Sequence, residues 1–338
     1  MHLPVTTPFF PDGRLNLRKL EQNVEHYSLT PAAGMLVLGP GGEASLLSDD
    51  ETTETLKAAI GAASTTKVML AGVSRDSVSN TLESIESAAR LGYDAVTLEE
   101  PSLRDIAAKE VRLYFQTVAD RSALPIVLAG ALPLDAVADL ALHPQIVGLF
   151  RRFAGAGEIQ SLLDRTAGVK RTVTVTQIFA AVTRRMHAAK MPDGAGAFVS
   201  AESLTGGGTA IAAAPAKVAP KTRTKVVGFQ ILVGGTERML DGLTAGAVGA
   251  LPLLAAAAPQ ACYEVLAAWK DGDPALAAEK QVRLVEAARQ LEEVFGVAGL
   301  KYGCDLNGYF GGMPRLPRLP LLGAEKAEVG RVMLELRS

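Results

Sequence analysis

Three short stretches of this chain carry residue types that do chemistry on small acids. Glu99-Glu100 is a carboxylate pair, Arg151-Arg152 is an arginine pair, and Gly39-Pro40-Gly41-Gly42-Glu43 is a glycine-rich turn that ends in a carboxylate. Carboxylates suit proton transfer. Guanidinium groups hold carboxylate ligands through paired donors. The glycines at Gly41 and Gly42 can offer backbone N–H groups to an anion. Two uses of the charges are open. Arg151 and Arg152 can meet Glu99 or Glu100 in an ion pair that closes a pocket, or they can stay free to bind an anion. Neighbours on a strand point to opposite faces, so Glu99 and Glu100 are poorly placed to share a metal ion. None of His2, His26, His143 and His187 lies at the carboxyl end of an expected strand, so neither a metal nor a cofactor is expected.

These stretches follow apolar runs of strand length. Such runs recur at 3–9, 34–38, 67–73, 94–99, 124–128, 146–150, 229–233 and 249–254. Each is nearly continuous, as expected for strands buried on both faces of a parallel sheet. Helical patterns lie between them. Leu17, Leu20, Val24 and Tyr27 form one apolar stripe, and Ser48-Asp49-Asp50-Glu51 reads as a capped helix start. Eight such alternations predict an α/β protein with a (β/α)8 TIM barrel. Functional residues of a barrel gather at the carboxyl ends of its strands. Here those positions are Thr7, Gly41, Gly42, Glu43, Glu99, Glu100, Ala129, Phe150, Arg151, Arg152, Gly234, Thr236 and Leu251. Of these, Thr7, Gly41, Gly42, Glu43, Glu99, Glu100, Arg151, Gly234 and Leu251 form the candidate pocket, with a small carboxylate as its candidate ligand.

The barrel is expected over 1–260 and a C-terminal helical region over 261–338, with helices at 274–295, 298–306 and 324–336. Prolines between Met313 and Pro320 call for an extended crossing segment. An insertion at about 168–226 separates the sixth helix from the seventh strand and is too long for an ordinary connection. Its first half, 173–191, is read as a helix carrying Arg184, Arg185 and Lys190, and its second half, 194–225, as a surface loop. It is either a tolerated insertion or an arm that docks a partner.

Composition narrows the function classes. The 338 residues are 48% hydrophobic, ample for a buried core, and the net charge of −2 argues against nucleic-acid or anionic-membrane binding. The two cysteines, Cys262 and Cys304, have no metal-ligand spacing and read as reduced buried thiols. No run reaches the ~20 apolar residues of a membrane helix, and the N-terminus shows no targeting segment, so a cytoplasmic location is expected.

The order of several motifs resembles the dihydrodipicolinate synthase / N-acetylneuraminate lyase family of class I pyruvate aldolases. Val5-Thr6-Thr7-Pro8-Phe9 with Asp12-Gly13 matches the family's opening strand and turn. Gly39-Pro40-Gly41-Gly42-Glu43 with Leu47-Ser48 matches its Gly-Thr-Thr-Gly-Glu signature. Val233-Gly234-Gly235, the run from Ala245 to Ala250, Pro259, Gly272-Asp273 and Arg315-Leu316-Pro317 match later landmarks. The resemblance implies a barrel, a lyase frame acting on 2-ketoacids, and a homo-oligomer, dimer or tetramer. It also implies an imine-forming lysine at the end of the sixth strand and a proton-shuttling tyrosine after the fifth. This chain departs there. Those positions are Phe150 and Ala129, the signature threonines are Pro40 and Gly41, Ser102 and Leu103 replace an aromatic pair, and the fifth loop is shortened between Ala131 and Pro133. Lys67 begins a strand at the wrong end of the barrel, and Lys301 falls where the family often has a structural lysine. Two readings follow: a non-catalytic paralogue or ligand binder, or a carbon–carbon lyase with a rebuilt, lysine-independent site.

Overall fold

The structure is a computed structural model, described here over residues 1–153, 155–176, 181–188 and 221–336. Its strands are β1 (His2–Val5), β2 (Gly34–Val37), β3 (Val68–Gly72), β4 (Ala95–Leu98), β5 (Ile126–Leu128), β6 (Ile146–Arg151), β7 (Arg171–Thr176), β8 (Thr222–Val227), β9 (Gln230–Val233) and β10 (Gly249–Ala250). Its helices are α1 (Leu17–Ser28), α2 (Asp49–Ala62), α3 (Val78–Leu91), α4 (Ala108–Arg121), α5 (Leu134–Leu140), α6 (Ala156–Arg165), α7 (Arg184–Ala188), α8 (Met239–Thr244), α9 (Pro259–Lys270), α10 (Pro274–Ala288), α11 (Gly296–Leu306) and α12 (Gly323–Glu335). Eight strands, in the order β1-β2-β3-β4-β5-β6-β9-β10, form one parallel sheet that curls into a nearly closed (β/α)8 TIM barrel.

Alternation along each strand divides the apolar side chains between two cores. Met35 and Val37, Ile126 and Leu128, and Ile231 and Val233 face outward to the helices, while Leu36, Val127 and Leu232 face the barrel axis. The helices form as their sequences dictate. Ser48 caps α2 by accepting from Glu51 N while the Glu51 side chain returns to Ser48 N, and Asn16, Ser77 and Asp273 cap α1, α3 and α10 through their side chains. The region expected as one helix over 274–295 is α10 followed by a π-helical turn, Arg289–Val294.

The insertion corrects one expectation. Residues 173–191 are not one helix. Arg171–Thr176 is a strand of alternating Val and Thr that pairs antiparallel with Thr222–Val227, and only the five residues Arg184–Ala188 are helical. The expected surface loop falls mostly outside the described residues. The described part lies across the amino-terminal face of the barrel, opposite the mouth. Arg171 donates to the carbonyls of Ala141, His143 and Ile146 at 2.8–2.9 Å. Arg185 donates to Ala63, Ser64 and Lys67 carbonyls at 2.7–2.8 Å, and Arg184 N donates to Asp94 Oδ1 at 2.6 Å. Three charge-assisted bonds are therefore concentrated in Arg185. Replacing Arg185 by alanine is expected to raise amide exchange in α7 by about 10- to 100-fold, with the β1–β6 amides unchanged. Unchanged exchange in α7 would show that Arg185 does not hold it.

Candidate functional site

The mouth is built at the carboxyl ends of the barrel strands, and Phe150 occupies its interior. Leu36, Leu70, Ala95, Val127, Ala129, Phe150, Leu232 and Leu251 form one buried cluster inside the barrel. Phe150 reaches it through a bulge. Ile126 pairs with Ile146 but Val127 pairs with Gly148, so β6 gains a residue against β5 and its phase reverses. Without that extra residue Phe150 would face the helices. With it, the ring stands level with Leu232 and is 5% exposed. Gly234 makes room for the ring, because a Cβ there would come within 2.6 Å of Phe150 Cε2.

The glycine-rich turn faces elsewhere. Leu38 and Glu43, at φ 60° and 54°, bracket it in left-handed conformations, and Gly72 lets the Leu38 carbonyl approach, since a Cβ would sit 2.1 Å from it. Gly42 N–H donates to Gly39 O at 2.8 Å, and Gly42 O accepts from Thr7 Oγ1 at 2.7 Å. The Gly42 amide is thus engaged within the turn and is not offered to an anion. Glu43 is completely buried and pairs with Lys301 Nζ at 2.5 Å, while its other oxygen accepts from Arg315 N at 2.9 Å. Lys301 also donates to Met313 O at 2.8 Å and lies over the Phe9 ring. Arg315 in turn forms a two-bond pair with Glu51 at 2.6 and 2.7 Å. Glu43 therefore fastens the C-terminal region to the barrel, and the Thr7–Gly42 bond holds the turn that carries it.

The expected meeting of Arg151 and Arg152 with Glu99 and Glu100 does not occur. Arg151 donates to Leu132 O at 2.7 Å, lies 3.7 Å from Glu158 and stacks on Phe153. Arg152 pairs with Glu237 at 3.0 Å and Glu293 at 2.5 Å, and lies 3.9 Å from Glu292. Arg151 takes the outward phase of β6 after Phe150, and Arg152 lies just beyond the strand's end, where acids on neighbouring helices and turns reach it. Glu99 and Glu100 diverge, as strand geometry requires. Glu99 continues the inward phase of Ala95 and Thr97, and burial, reinforced by the charge of Glu100, raises its carboxyl above the ordinary range. Glu100 lines a cavity between α4 and α5.

Glu292 went unnoticed in the sequence. It lies in the π-helical turn, and its side chain is completely buried. Thr236 Oγ1 and Leu254 N, the latter at 2.7 Å, donate to its Oε1. Burial pushes its carboxyl up to about 7, against the opposing effect of those bonds and of Arg152. It ties together the segments after β6, β9 and β10. The only sequence signal was a glutamate pair within a long helical pattern, which reads as solvated surface.

No barrel strand carries a lysine or a tyrosine. Lys67 donates to Thr30 O at 2.6 Å and Ala32 O at 2.7 Å, just before β3 and so at the amino-terminal face. Among the described residues no group of three or more His, Cys, Asp or Glu side chains is arranged to hold a metal ion, and no helix is long and apolar enough to cross a membrane.

A parallel eight-stranded barrel with helices between its strands and a helical C-terminal cover defines the class as a (β/α)8 TIM barrel with a C-terminal helical extension. The chain belongs to the dihydrodipicolinate synthetase family, whose model matches residues 1–206 and 209–336. The 4-hydroxy-tetrahydrodipicolinate synthase of Acidiphilium cryptum is 25% identical over 339 residues, covering 98% of this chain and 96% of that protein. That of Methanothrix thermoacetophila is 24% identical over 332 residues, covering 98% and 95%. In fold, the chain is similar to a prophage protein of the dihydrodipicolinic acid synthase family from E. coli K12, solved in complex with pyruvate, with a TM-score of 0.77, 22% identity and 99% and 98% coverage. It is also similar to the 4-hydroxy-tetrahydrodipicolinate synthase of Methylacidiphilum fumariolicum SolV, with a TM-score of 0.76, 18% identity and 99% and 95% coverage.

Proposed function

We propose that this protein is a dihydrodipicolinate synthetase-family barrel that does not form the family's pyruvate imine and acts as a non-catalytic paralogue or a binder of a small carboxylate. On the family's precedent it does so in the cytoplasm as a homo-oligomer, dimer or tetramer. The observation that carries this reading is Phe150, packed inside the barrel where an amine would have to stand. An imine needs an unprotonated amine within reach of a carbonyl. Lys301 is sealed against Glu43, and Lys67 opens toward the opposite face. Incubation with pyruvate and borohydride is expected to leave every lysine unmodified in intact-mass and peptide analysis. A reduced adduct on any lysine overturns the reading.

A second reading, a carbon–carbon lyase with lysine-independent chemistry, is favoured by Glu99. Its raised carboxyl follows the inward phase of β4 and has the character of a general acid or base. It requires turnover on a panel of 2-ketoacids and aldehydes that falls at least about 100-fold in Glu99→Gln. Turnover unchanged by that substitution removes Glu99 from the chemistry.

A further inference from the structure

A cavity of about 540 Å³ lies between α4, α5 and the segments that leave β4 and β5. That volume suits a small molecule. Its lining is mainly apolar and includes Ile106, Val111, Leu132 and Leu140. The wall at Leu132 is held in place, because Arg151 donates to the Leu132 carbonyl at 2.7 Å.

One lining group is out of keeping with the rest. Glu100 forms no hydrogen bond or ion pair among the described residues, and its Oε2 is buried without a donor. The backbone admits it closely. Gly130, at φ +87°, lies against that oxygen, and a Cβ there would sit 2.5 Å from it. Two cations line the same cavity, and neither comes within ion-pair distance of Glu100. Arg112 is turned to Asp139 at 2.7 Å, and Lys109 forms no ion pair among the described residues. The charge registers on its neighbour, since it contributes to the raised carboxyl of Glu99. A half-buried carboxylate without a counter-charge, on the wall of an apolar cavity, is a site for a cation attached to an apolar body.

We infer that this cavity binds a small amine, its ammonium group on Glu100 and its hydrocarbon chain against Ile106, Val111, Leu132 and Leu140. The site is separate from the barrel interior around Phe150, so it stands or falls independently of whether the barrel forms an imine.

Titration calorimetry with n-hexylamine, n-hexanol and n-hexanoate tests it. Hexylamine is expected to bind saturably with one site per chain, and hexanol and hexanoate at least about tenfold more weakly. Glu100→Gln is expected to weaken hexylamine by about 10- to 100-fold, the loss of one charged hydrogen bond. Ala136→Trp, which places a large side chain in the cavity, is expected to abolish binding. Both variants should retain the wild-type circular dichroism spectrum. The inference is overturned if hexylamine shows no saturable binding. It is equally overturned if hexanol or hexanoate binds as well as the amine, or if either variant folds and keeps wild-type affinity.

Discussion

Replacing Lys301 by methionine is expected to destabilise the protein by about 3–5 kcal/mol, far more than loss of an ordinary surface ion pair. The side chains of Glu43 and Lys301 are 0% and 1% exposed and 2.5 Å apart. Methionine nearly matches the lysine in volume, so the core around Phe9 stays filled and the loss is electrostatic. What remains is a carboxylate shielded from solvent with one backbone donor, Arg315 N. A buried charge stripped of its partner accounts for most of such a loss, while the intact pair itself contributes little net stability. The double variant Glu43→Gln with Lys301→Met should therefore recover most of what the single variant loses. Urea unfolding of the wild type, both single variants and the double variant measures this coupling directly. Additive losses, or a single variant within about 1 kcal/mol of wild type, would show that the pair is not isolated from water as its geometry requires.

The barrel was legible because its strands are buried on both faces. A run such as Ile146-Val147-Gly148-Leu149 has no polar face and no helical stripe, and eight such runs admit few other architectures. Phe150 could be placed at the end of the sixth strand for the same reason. Its inward direction could not, since one extra residue against β5 sets it and a bulge leaves no mark on an unbroken apolar run. The partners of Arg151 and Arg152 were hidden for a different reason. Long flexible side chains take the nearest acid in space, and for Arg152 these are Glu237, Glu292 and Glu293, distant in the chain. The strand in the insertion was missed although Thr172, Val173, Thr174 and Val175 alternate plainly. A short alternating run next to basic residues fits either period, and pairing with Thr222–Val227 decided it.

These placements change what the mouth means. The sequence suggested a pocket ringed by Glu43, Glu99, Glu100 and Arg151. In the structure Glu43 faces the C-terminal helices, Arg151 faces α6, and Glu100 faces the cavity beside α4. Glu99 alone of the four keeps the inward phase. The apolar cluster around Phe150 is consistent with this dispersal, since three of the four charges leave the barrel axis and Glu99 stands at its rim.

Glu292 supplies the second large effect, and it depends on pH. Its ordinary value of 4.5 is raised to about 7 in the fold, so the folded state holds the proton more tightly than the unfolded chain. The stability gained in this way is fully present below pH 4.5 and is lost as pH rises through about 7. A shift of this size amounts to about 3 kcal/mol between those limits. Glu292→Gln keeps an acceptor for Thr236 and Leu254 N but has no proton to lose. Relative to wild type, the glutamine variant is therefore expected to gain about 2–3 kcal/mol of stability between pH 5 and pH 8. Any fixed mismatch between the new amide and Arg152 would offset both ends equally and leave the slope intact. Titrations elsewhere in the chain cancel in the same difference. Urea unfolding of both proteins at pH 5, 6, 7 and 8 reads the slope. A difference that stays flat with pH would mean that Glu292 is ionised throughout, with Arg152 close enough in solution to hold it so.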